Sequence, residues 1–158
     1  MLQEEIPVWS KPLSHLNSGL RDFLLVTNSC LVETFPHNHQ NLSEYLDTLK
    51  YAFLYAKSVT LGMPHWSESA EVMSKNRRIG TSMSGIAQFV NERGLNSLKE
   101  WCENGYDALC EYDKEFSHWL KIPESIKKTS IKPSGTVSLL AGATPGIHFP
   151  ISEYYVYS

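Results

Sequence analysis

Leu42, Tyr45, Leu46, Leu49, Ala52, Phe53 and Ala56 recur at the i, i+3, i+4, i+7 spacing that sets one apolar helix face against a core. Asn41 is an N-cap with Glu44 three residues on, and Gly62 and Pro64 supply the stop. A second, longer pattern runs from about Asn96 to Trp119, with Leu98, Cys102, Tyr106, Leu109, Tyr112, Phe116 and Trp119 as its expected inner stripe. Shorter helices are expected over 67–75 and 85–91, the latter stopped near Gly94. Strand-like runs lie at 23–26, 29–35, 77–82 and 126–131, each bounded by Pro, Gly or Asn, and 137–141 suits a short helix or strand. Strands alternating with helices predict βαβ units and an α/β class.

Composition changes this picture little. Of 158 residues, 42% are apolar and 20% charged, enough for one compact domain with a core. The net charge of −3 lacks the basic footprint of a nucleic-acid binder, so no nucleic-acid partner is expected. No apolar run reaches the ~20 residues that cross a bilayer, and the acidic start is unlike a signal peptide, so no membrane is expected and a cytoplasmic location is. Three scattered cysteines, Cys30, Cys102 and Cys110, suggest reduced thiols rather than a disulfide framework, with Cys102 and Cys110 expected in the core.

The densest chemistry is the small-residue run from Lys132 to His148, which opens Lys132-Pro133-Ser134-Gly135-Thr136-Val137. Two hydroxyls and a glycine at a possible helix start suit a polyphosphate, which needs converging donors without bulk. The order is not that of a Walker loop, and a plain Ser/Gly/Thr helix cap would look the same. His37 and His39 lack a partner at metal-ligand spacing, so no metal is expected; His65 and Trp66 suit a packed turn. Tyr154 and Tyr155 read as amphipathic strand residues rather than a radical relay.

Four co-linear blocks carry a resemblance: Leu31–Pro36 (LVETFP), Leu49–Leu61, Asn76–Phe89 (NRRIGTSMSGIAQF) and Lys132–His148. In this order the chain from Cys30 to Ser158 resembles adenosylcobalamin-dependent ribonucleotide reductases, of the ribonucleoside-triphosphate type. The resemblance implies part of a ten-stranded α/β barrel, with Ser134, Gly135, Thr136 and Val137 on the substrate's phosphates. It implies cobalamin-initiated thiyl radical chemistry, a ribonucleoside triphosphate substrate and a thioredoxin-type reductant. Arg77, Arg78 and Gly80 take a structural part, the arginines as a salt-bridged barrel strand.

Cys30, just before the LVETFP block, matches the neighbourhood of a redox thiol in that family, as does Ser29. The family's Asn-Pro-Cys-x-Glu radical motif does not occur in the sequence. The expectation is therefore a fragment: a partial catalytic barrel over 29–158, an unmatched segment over 1–28, and no activity by itself. A remaining barrel piece, if the gene is split, is the expected partner. A non-catalytic nucleotide-binding remnant is the rival reading. Residues 1–28 also admit an intein tail, since Asn28 precedes Ser29 and Cys30.

Overall fold

The computed structural model describes residues 30–132 and 134–149. The run at 23–26, the possible intein junction, and Tyr154 and Tyr155 lie outside them. Strand β1 (Cys30–Thr34) leads through a 3-10 turn (Pro36–Asn38) into helix α1 (Leu42–Val59) and helix α2 (Ser67–Asn76). Strand β2 (Ile79–Met83), helix α3 (Ile86–Leu120) and the short helix α4 (Thr136–Leu140) follow.

The strands β1 and β2 pair in parallel, from Cys30 opposite Ile79 to Thr34 opposite Met83. The segment 126–130 runs parallel on the other edge of β2, with Thr81 bridged to Thr129. There the Ile79 and Thr81 N–H groups donate to the Lys127 and Lys128 carbonyls at 2.8 and 3.0 Å. Parallel neighbours joined by helical crossovers make this an α/β unit.

The capping of α1 follows its sequence. Asn41 Oδ1 accepts from Glu44 N–H at 2.9 Å, and the Glu44 carboxylate reaches back to accept from Gln40 N–H at 2.8 Å. Its buried face, Tyr45, Leu49, Phe53 and Ala56, packs with Ile79, Phe89, Trp101, Leu109 and Phe116 into one core. Tyr45 stacks on Trp101 at 5.3 Å between ring centres, and Phe89 meets Trp101 edge-on at 4.8 Å.

Two expectations need correction here. Helix α3 breaks at Gly94 (φ 81°, ψ 165°), as expected; Leu109 and Phe116 of the expected stripe are buried and Leu98 and Tyr112 pack against the core, but the buried face also takes in Trp101, Gly105, Asp113 and Ser117. Tyr106 and Trp119 are exposed at 50% and 70%, and Cys102 is exposed, so it is not a core thiol; Cys110 is half-buried. The apolar pattern misplaced part of the stripe because the helix buries an ion pair. Asp113 bonds Lys57 of α1, and both side chains are fully buried. Lys57 also donates to Ser117 Oγ at 2.6 Å, and Asp113 accepts from Ser125 N–H at 2.8 Å. Burial pulls the Lys57 ammonium below its ordinary pKa, while Asp113 opposes that shift. The cluster joins α1, α3 and the turn before segment 126–130.

The second correction concerns Arg77. It ends α2 in the left-handed conformation (φ 45°, ψ 43°), so β2 starts only at Ile79. Its guanidinium donates to the Ser74 and Thr60 carbonyls rather than entering an ion pair of the strand.

Candidate functional site

Strand alternation gives the small sheet two unlike faces. Val32, Thr34, Ile79, Thr81 and Met83 face the helices. Leu31, Glu33, Gly80 and Ser82 take the opposite side, continued by Ser84 just past β2. Gly80 is required there, because a Cβ would lie 2.5 Å from Leu31 Cδ2 and 2.9 Å from Ser130 Cβ.

On that second face a polar network gathers. Glu33 Oε1 accepts from Ser84 Oγ at 2.6 Å and from Ser82 Oγ at 3.3 Å. Ser84 Oγ lies 2.9 Å from Ser134 Oγ and accepts the Gly146 N–H at 2.8 Å. Ser82 Oγ accepts the Lys132 N–H at 3.3 Å. The Lys132 ammonium stands 3.7 Å from Glu33 Oε2, a buried oxygen with no hydrogen-bond partner. The Glu33 side chain is only 5% exposed.

The loop from Ser134 to Gly146 rises from this network. Ser134 is buried, whereas Thr136 and Val137 are exposed. Gly135 has φ 58° and ψ −129°, a path closed to most side chains, and nothing lies within 4 Å of where its Cβ would stand. A ligand can therefore approach the backbone there. Ser138 Oγ donates to the Gly135 carbonyl at 3.0 Å and fixes the turn. The structure thus brings Ser134, Gly135, Thr136 and Val137 together at one end of the parallel strands, the end where α/β sheets bind ligands. His148 is exposed near the loop's exit.

Cys30 stands apart from this group. It pairs with Ile79 on β2 and shares the helix-facing side with Val32, across β1 from Glu33. Burial pushes its thiol above the ordinary range, partly offset by Arg77.

Of the two paired-looking histidines, His39 ties the turn before α1, while His37 Nδ1 is buried without a hydrogen-bond partner among the described residues. His39 Nδ1–H donates to the Phe35 carbonyl at 3.0 Å, which leaves Nε2 to accept from the Thr48 hydroxyl at 2.8 Å. Among the described residues no group of three or more His, Cys, Asp or Glu could hold a metal ion. Sequence reasoning missed Glu33, Ser82 and Ser84. The alternation Ser82-x-Ser84 held part of the signal, since polar residues spaced by two along a short strand share one face.

Comparison with known proteins shows which family the chain resembles. No protein-family model matches the chain. A Dictyostelium discoideum protein described as a probable adenosylcobalamin-dependent ribonucleoside-triphosphate reductase is 67% identical over 127 residues. The chain belongs to the adenosylcobalamin-dependent ribonucleotide reductase family. The Euglena gracilis adenosylcobalamin-dependent ribonucleoside-triphosphate reductase is 61% identical over 126 residues, and the Lactobacillus leichmannii one 35% over 152. Each match takes in 80% of this chain. The chain spans 17% of the length of the first two relatives and 21% of the third. The crystal structure of a B12-dependent (class II) ribonucleotide reductase superposes with a TM-score of 0.70 at 33% identity, over 77% of this chain and 20% of that one.

The cofactor in these reductases' names is too large for the cavity between the sheet and α3. The cavity between the sheet and α3 is about 500 Å³ and lined mostly by apolar side chains, among them Tyr45, Trp101 and Leu109. That volume suits a drug-sized molecule, and adenosylcobalamin is several times larger. No helix among the described residues is long and apolar enough to cross a membrane.

Proposed function

We propose that this chain is the phosphate-gripping part of a ribonucleoside-triphosphate reductase. The observation that carries the reading is the 67% identity to a relative of that description. On this reading the complete enzyme is a cytoplasmic, thioredoxin-dependent oxidoreductase that turns ribonucleoside triphosphates into deoxyribonucleotides by thiyl radical chemistry. Adenosylcobalamin belongs to that complete enzyme. Residues 29–158 belong to part of a ten-stranded α/β barrel, and residues 1–28 are a segment whose sequence is unmatched to it. A remaining barrel piece completes the enzyme where the gene is split.

The role of these residues is binding. Gly135 opens the backbone to a phosphate, and Thr136 and Val137 offer it an exposed edge beside the buried Ser134. Catalysis of this kind depends on a substrate fixed in place while its ribose reacts. Cys30 is the redox thiol of the proposal. Trapping it as a mixed disulfide supports that role, and an unreactive Cys30 in the complete enzyme removes it.

Titration of the chain with cytidine triphosphate tests the grip. Saturable binding is expected, weakened at least about tenfold by Gly135→Trp, which fills the approach. Equal affinity in the two proteins contradicts the reading. Incubation of the 158 residues with adenosylcobalamin and a dithiol is expected to yield no deoxyribonucleotide, because the sequence lacks the Asn-Pro-Cys-x-Glu motif.

A further inference from the structure

We propose that Glu33 is the positioning residue of the loop from Ser134 to Gly146, acting through Ser82 and Ser84 without touching a nucleotide. The proposal rests on the reading of that loop as the phosphate grip.

A carboxylate only accepts hydrogen bonds, and a serine hydroxyl has one proton to give. At 2.6 Å the Ser84 proton goes to Glu33, within the range of charge-assisted O–H···O⁻ bonds. The other two contacts of the Ser84 oxygen must then arrive from outside: the Gly146 N–H at 2.8 Å and the Ser134 hydroxyl at 2.9 Å. Ser82 repeats the pattern, giving its proton to Glu33 and receiving the Lys132 N–H. Glu33 thus fixes the direction of all three hydroxyls. Through them it holds Lys132 and Ser134 at the start of the loop and Gly146 at its end.

Two consequences follow for the site. The Ser134 proton is directed inward, so the hydroxyl left to donate to a phosphate is that of Thr136. Ser134 becomes an anchor rather than a phosphate ligand. The Lys132 ammonium, 3.7 Å from Glu33 Oε2, balances a buried negative charge that would otherwise oppose an anion nearby.

Geometry and charge make opposite predictions, and that separates them. Glu33→Gln removes the charge yet keeps a carbonyl oxygen that accepts both serine protons. Glu33→Leu removes the acceptor as well. Amide hydrogen exchange and cytidine triphosphate titration of the full chain read the difference, with the amides of α1 as a control for folding. In Glu33→Leu and Ser84→Ala, the Gly146 amide should exchange at least about tenfold faster and the dissociation constant rise at least about tenfold, as one lost anchoring bond allows. Glu33→Gln should stay within about threefold of the wild type in both. Should Glu33→Leu fail to fold, Ser84→Ala carries the same test. An unmoved Gly146 amide in a folded variant, or Gln behaving as Leu does, overturns the proposal. Faster exchange in a chain whose wild type binds no triphosphate supports the anchoring and overturns the phosphate reading.

Discussion

The two faces of one small parallel sheet are built on opposite principles. Toward the helices, Val32 and Ile79 meet Tyr45, Phe53 and Trp101, and burial of apolar surface supplies the stability. Toward the other side, Glu33, Ser82 and Ser84 spend their hydrogen bonds on a loop distant in sequence. On the first face Thr34 and Tyr45 hydrogen-bond to each other, while the buried Thr81 hydroxyl has no side-chain partner among the described residues. Tyr45 O–H donates to Thr34 Oγ1 at 3.2 Å, and Thr34 passes its own proton to the Ser82 carbonyl at 2.9 Å. The second face carries Glu33, Ser82 and Ser84 beside Leu31 and Gly80, and that is where a ligand can be met. The lesson is that a short strand can hold the fold with one set of side chains and present chemistry with the other.

The comparison can be broken most severely from the helix side. Asp113→Leu leaves the Lys57 ammonium buried without its partner and is expected to cost about 3–5 kcal/mol in chemical denaturation. The double variant Lys57→Met with Asp113→Leu should recover most of that loss, because two apolar side chains need no pairing. Failure of the double variant to recover would show that Ser117 and Ser125 depend on the pair for more than charge.

A smaller effect is expected at Tyr45→Phe, about 1 kcal/mol for one buried hydrogen bond. Burial pushes the Tyr45 phenol up to about 12, against the opposing bond to Thr34. The folded state therefore favours the neutral phenol. Its contribution is complete below about pH 10 and is lost as pH rises toward 12. Denaturation across that window should show the loss in the wild type and not in Tyr45→Phe. Smallest of all is Trp119→Ser, expected within about 0.5 kcal/mol because the side chain is 70% exposed.

The order of strands and helices was legible in the sequence because local signals agreed with the fold: the Asn41 cap, the stripe on α1, the Gly94 break. The second part of α3 was misread in part because its apolar residues surround the helix, and the buried face is chosen by Lys57 of another helix. Arg77 was placed in a strand because nothing local reveals that its guanidinium caps two carbonyls. The loop at Ser134 was visible as a cluster of small residues. Glu33 and Ser84 were not, since their meaning arises only when parallel strands bring residues about 50 positions apart into hydrogen-bond range.

The most direct test of the central claim is an exchange of parts. The matching stretch of 126 residues in the Euglena gracilis reductase is replaced by that of this chain, and cytidine triphosphate reduction is measured with adenosylcobalamin and a dithiol. The account predicts an active chimaera whose KM rises at least about tenfold on Gly135→Trp, the cost of losing one well-made phosphate contact. A folded chimaera that reduces no nucleotide, or one whose KM ignores Gly135→Trp, contradicts it.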